Sequence, residues 1–120
     1  MLDEVSFGEF ITVKRKQAKY TIKDLASALS LSSTYLCNIE HGVRPAPSYD
    51  ILVMMACALE LNDIDRSKMF DLAAKTKHRI TVPQDILEYI EHDNDVCLFL
   101  RTAIKHKING KQLLELINGK

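Results

Sequence analysis

The stretch from Thr21 to Gly42 constrains this chain more than any other, because it holds two short helices with about three residues to join them. Thr21, with Asp24 three positions on, has the form of an N-cap followed by an acid in the first helical turn, where the helix dipole favours it. The helix it opens turns Leu25, Ala26 and Leu29 inward. Ser30 and Leu31 make a tight connection, Ser32 caps the next helix, and Gly42 stops it. Two helices this close in sequence cross steeply only with a small residue on the first, an apolar plug in the turn and apolar anchors on the second. Ala26, Leu31, Leu36 and Ile39 supply all of these. The outward face of the second helix is then Ser33, Thr34, Cys37 and Asn38, which are short, uncharged and mostly hydrogen-bonding. An ordinary solvated helix more often carries Lys and Glu there. A DNA major groove about 12 Å wide admits one helix and offers base edges to such side chains.

The rest of the chain is helical by its apolar spacing, and no sustained period-two alternation marks a strand. Phe7, Phe10 and Ile11 belong to a first helix ending near Ala18. Pro45 and Pro47 place a loop after Gly42. Ser48 caps a fourth helix with Ile51, Leu52, Met55, Ala56 and Leu59, and a fifth from about Asp65 to Lys75 buries Met69, Phe70, Leu72 and Ala73. The polar, basic run that follows reads as a linker. Pro83 suits the first position of a sixth helix with Ile86, Tyr89 and Ile90. Asn94 or Asp95 caps a seventh, and Asn109-Gly110 turns into a short last helix. The expected fold is all-α: a five-helix domain over residues 1–76, a linker at 77–82 and a C-terminal helical region at 83–120.

Composition narrows the function classes. Hydrophobic residues are 47% and charged residues 27% of 120, the balance of a folded globular chain. No apolar run approaches the roughly 18–20 residues that span a bilayer, and the start lacks a basic flank and apolar signal core. A cytoplasmic protein with no membrane association is expected. Cys37, Cys57 and Cys97 are odd in number and far apart, as free thiols are, and Cys57 and Cys97 read as small core residues. Net charge is zero, but Lys14, Arg15, Lys16, Lys19 and Lys23 crowd one early stretch while Asp63, Asp65 and Asp71 lie later, so a local basic surface remains open. His41, His78, His92 and His106 are scattered, and the acidic run Glu88, Glu91, His92, Asp93, Asp95 lacks a metal-binding loop. No Gly-rich phosphate loop and no Ser, His and Asp constellation appears. Neither catalytic residues, a metal nor a cofactor is expected.

The runs Thr21-Ile22-Lys23-Asp24-Leu25-Ala26, Leu31-Ser32-Ser33-Thr34-Tyr35-Leu36 and Ile39-Glu40-His41-Gly42 resemble the lambdoid phage-repressor (XRE) helix-turn-helix family over about residues 5 to 75. The resemblance implies that the helix from Ser33 reads double-stranded DNA. Ser33, Thr34 and Asn38 would face bases, Asn38 pairing with adenine. Ser32, Tyr35, His41, Arg44 and Lys23 would lie at phosphates, and Arg15 would form a structural ion pair with Glu40. Where the family usually has Gln this chain has Ile22, and Lys19 and Ser30 stand where it has Gly. Lys14 takes a commonly apolar site, from which it would snorkel.

The tail resembles the dimerisation hairpin of Sin-type regulators, through Phe99-Leu100-Arg101-Thr102-Ala103-Ile104, Ile108-Asn109-Gly110-Lys111 and Leu113-Leu114. That resemblance implies a homodimer interface of Val96, Phe99, Leu100, Ala103, Leu113, Leu114 and Ile117. A hairpin this apolar does not bury both faces alone. The expected function is transcriptional regulation, as a repressor bound to a palindromic operator. The alternative is a protein-binding adaptor on the same scaffold, an antitoxin or a phage-encoded inhibitor. A protein antagonist that exchanges hairpins with the tail is a third reading.

Overall fold

The computed structural model describes residues 5–77 and 82–119, so the linker positions 78–81, His78 among them, lie outside the described residues. Within it are eight helices and no strand: α1 (Phe7–Gln17), α2 (Ile22–Ala28), α3 (Ser33–Glu40), α4 (Tyr49–Ala58), α5 (Asp63–Ala74), α6 (Gln84–Glu91), α7 (Asn94–Lys105) and α8 (Gly110–Asn118). The chain packs as two units, Met1–Asp85 and Ile86–Lys120.

Six of the starts are set by a side chain that satisfies an amide the helix leaves unpaired, whereas at α4 Ser48 holds the cap position without a side-chain hydrogen bond. Ser6 with Glu9, Thr21 with Asp24 and Asn109 with Gln112 form reciprocal capping boxes. Ser32 accepts from the Tyr35 amide and Asn62 from the Asp65 amide. Three starts differ from expectation. Helix α5 begins at Asp63, because Asn62 holds the extended backbone a cap requires. Helix α7 is capped by Asp93, whose carboxylate accepts from Asp95 N at 3.0 Å, while Asn94 and Asp95 are already inside the helix. In α6 the first helical residue is Gln84, one after Pro83.

Five of the helix ends share one device. After α3, Gly42 takes a left-handed backbone at φ 77°, its amide bonds to the Ile39 carbonyl and the next amide, of Val43, bonds to that of Asn38. Lys19 (φ 65°), Ser30 (φ 58°), Glu60 (φ 52°) and Lys107 (φ 56°) close α1, α2, α4 and α7 by the same pair of bonds, without glycine. The residue after each is apolar or aromatic: Tyr20, Leu31, Leu61 and Ile108. A hydrophobic contact at that position is the usual companion of this cap.

In the first unit, Phe7, Phe10 and Ile11 of α1 meet Leu25, Ala26 and Leu29 of α2, Leu36 and Ile39 of α3, Leu52 and Met55 of α4, and Met69 and Phe70 of α5. Helix α3 packs on both α1 and α2, and α5 packs on α1. Lys14 does more than snorkel: its ammonium bonds Asp65 at 2.8 Å, tying α1 to α5, and lies 5.6 Å from the Phe10 ring centre. Cys57 is exposed, not a core residue. Leu52, Met55, Ala56 and Leu59 make the inward face of α4, and at 100° per residue position 57 falls off it.

In the second unit, α6, α7 and α8 bury only Ala103 among the described residues. Val96 and Leu113 are half-buried, whereas Phe99, Leu100, Leu114 and Ile117 are exposed, Ile117 at 85%. Ile104 and Leu116 are exposed as well. Among the described residues no helix is long and apolar enough to cross a membrane.

Candidate nucleic-acid interface

Helix α3 is held from below and from its C-terminal end. Leu36 and Ile39 are at most 1% exposed and anchor its inner side, and Ala26 lets α2 come close behind it. At the far end, Gly8 of α1 abuts the last turn of α3. A Cβ there would overlap the Glu40 carbonyl and stand 2.8 Å from that of Ile39. Sequence reading missed Gly8, since nothing local distinguishes a glycine that admits a neighbouring backbone from any other glycine in a helix.

The Arg15 and Glu40 side chains are both buried and meet as a fork: Nε donates to Oε2 at 2.8 Å and Nη2 to Oε1 at 3.1 Å. The remaining arm, Nη1, donates to the Tyr20 carbonyl at 2.9 Å, so one guanidinium joins α1, the turn after it and the end of α3. No buried side-chain nitrogen or oxygen lacks a partner among the described residues. A paired, fully hydrogen-bonded charge of this kind orients elements more than it stabilises them.

With that side buried, the opposite side of α3 faces outward. Ser33 and Thr34 are exposed, Cys37 and Asn38 half-exposed, and the four share one helix face. The Asn38 side-chain amide makes no hydrogen bond among the described residues. Ser32, Lys23, His41 and Arg44 are exposed, Ser32 and His41 at the two ends of α3, Lys23 at the first turn of α2 and Arg44 in the loop after Gly42. The Ser32 hydroxyl accepts from Tyr35 N at 3.0 Å and keeps its own proton for another acceptor. His41 is turned back on the helix end: Nδ1 lies 2.8 Å from the Cys37 carbonyl, which makes that nitrogen the donor and leaves Nε2 outward. Tyr35 is half-buried and rests against the core. Elsewhere, His92 has its pKa raised, first by its hydrogen bond to the Glu88 carbonyl and then by the Glu88 carboxylate.

A short helix with short polar side chains on its exposed face has the size and chemistry that a major groove admits. A family model described as helix-turn-helix matches residues 13–64. Over 72 residues the chain is 38% identical to the ImmF control region 10 kDa protein of Bacillus phage phi105, a match spanning 60% of this chain and 78% of that protein. The chain belongs to the helix-turn-helix family. The helix-turn-helix of the XRE type is a DNA-binding unit of transcription regulators, and α2 and α3 are its two helices here. The chain is also 31% identical over 74 residues to the HTH-type transcriptional regulator SlrR of Bacillus subtilis (strain 168), covering 62% of this chain but 47% of that relative's length. No solved structure matches it.

Proposed function

We propose that this helix-turn-helix protein is a sequence-specific DNA-binding regulator of transcription, a repressor whose homodimer covers a palindromic operator in the cytoplasm, and not an enzyme. The observation that carries the reading is the outward face of α3, with Ser33, Thr34 and Asn38 over buried Leu36 and Ile39. In this reading these three side chains read base edges. Ser32, Lys23, His41 and Arg44 lie along phosphates, and Tyr35 adds its hydroxyl from the rim. Residues 1–76 bind DNA, residues 77–82 link, and residues 83–120 dimerise. The exposed Phe99, Leu100, Leu114 and Ile117 support the last assignment, because they are apolar surface that a second hairpin would cover.

Selection of DNA from a random pool by the purified chain tests the reading directly. The expected winner is a palindrome with half-sites about 34 Å apart. On that site Asn38→Ala costs about 1–3 kcal/mol and relaxes preference at one base position. Arg44→Ala weakens all sequences alike and flattens the salt dependence by about one unit. Wild-type binding by both variants would remove this face from the interface.

A second reading, a protein-binding adaptor on the same scaffold, draws on the same exposed apolar tail and on the zero net charge. It extends to an antagonist that exchanges hairpins with the tail. Titration of random DNA at two salt concentrations separates the classes: a steep slope belongs to the regulator, and indifference to DNA belongs to the adaptor.

A further inference from the structure

The Glu40 carboxylate has a third partner besides the two arms of Arg15. The Thr12 hydroxyl, on α1 within one turn of Arg15, lies 2.9 Å from Glu40 Oε1 and 2.8 Å from the Gly8 carbonyl oxygen. A single proton serves both acceptors, and the ionised carboxylate is the stronger of the two. Glu40 is the last residue of α3. Two residues before it, the Asn38 carbonyl accepts from the amides of Val43 at 2.9 Å and Arg44 at 3.2 Å. The end of α3 that Thr12 grips is therefore the end from which both Asn38 and Arg44 depart.

We propose that Thr12 is a positioning residue for DNA recognition. Its hydroxyl stops the Glu40 carboxylate from rotating, keeps the Arg15 fork engaged through both oxygens, and so holds α3 at the register where Asn38 and Arg44 meet DNA. Arginine alone does not impose this. A guanidinium follows a turning carboxylate and slips to a single hydrogen bond, whereas the Thr12 hydroxyl, itself within reach of the Gly8 carbonyl, bonds Oε1 from a second point on α1. Sites that read by geometry depend on such supporting contacts, because a shift of about 0.5 Å already degrades them. The proposal rests on the DNA-binding reading above and adds to it the residue that sets the angle of the reading helix.

The experiment compares Thr12→Val and Thr12→Ser in the full chain, at a temperature where each is folded. It measures affinity for the selected operator, affinity for random DNA, and amide exchange at Val43 and Arg44 in the free protein. Thr12→Val is expected to lower operator affinity about tenfold, the worth of one hydrogen bond to a charged group. Random-DNA affinity falls less than operator affinity, exchange at Val43 and Arg44 quickens, and Thr12→Ser restores all of this. If Thr12→Val does not fold, Thr12→Ala carries the same comparison. Equal losses on operator and random DNA, or unchanged exchange at the two amides, overturns the proposal. If the wild type itself does not distinguish an operator from random DNA, it is the DNA-binding reading that falls. The exchange measurement then still decides Thr12: quickened and reversed by serine supports the positioning role, and unchanged removes it.

Discussion

At the residue scale, the organising contact is the buried pair of Arg15 and Glu40. Two charges are taken out of water there, and every arm of the guanidinium finds an acceptor. The Coulombic gain largely offsets the desolvation, so the pair as a whole contributes little net stability. Removing one member is a different matter, because the other is left buried and alone. Arg15→Ala should cost about 3–5 kcal/mol in urea unfolding. A loss below about 1 kcal/mol, the range of exposed pairs, would mean that the pair is open to water. The resemblance to repressors pointed to these two residues. It did not point to Thr12 or Gly8, whose roles exist only once α1 lies against the end of α3. A threonine and a glycine inside a helix carry no local mark of what a distant helix presents to them.

At the scale of elements, the starts were easier to read than the ends. Thr21 and Ser32 announce α2 and α3 because a capping oxygen acts on amides two or three residues away, a purely local event. The cap of α7 is not legible in sequence, since Asp93, Asn94 and Asp95 all carry the right chemistry and only backbone torsion selects Asp93. Ends are local too, but their signal is subtler. Gly42 is the expected left-handed residue, whereas Lys19, Ser30, Glu60 and Lys107 do the same work with a Cβ. The mark they leave is a polar residue followed at once by Tyr20, Leu31, Leu61 or Ile108, each closing its cap. L-residues in this conformation carry a penalty of roughly 1–2 kcal/mol. Glycine relieves it but adds freedom to the unfolded chain, worth roughly 0.5–1 kcal/mol. Ser30→Gly should therefore raise stability by about 0.5–1 kcal/mol in thermal melts without altering the helix content. A lower melting temperature would indicate that the Ser30 side chain supports the turn.

At the scale of the whole molecule, the two units differ in how well each satisfies itself. The first surrounds a core to which α1 through α5 all contribute. The second leaves most of its large apolar side chains in water and buries Ala103. Covering each such side chain is worth about 1.5–3 kcal/mol, which is a strong drive towards association. On the proposed reading of the tail as a dimerisation hairpin, Ile117→Glu, at the most exposed of these positions, should shift the chain from dimer to monomer in analytical ultracentrifugation and lower operator affinity through the loss of the second half-site. A variant that remains dimeric would place the contact elsewhere.

The sequence by itself determined that the chain is helical, where α2 and α3 begin, and which side of α3 is polar. These follow from spacing at 3.6 residues per turn and from caps that act within a few residues. Tertiary structure alone decided that Gly8 admits the end of α3, that Lys14 reaches Asp65, and that Thr12 closes the carboxylate of Glu40. Each of these depends on a partner from another helix or on the exact rotation of its own. That is information a side chain does not hold until the helices have packed.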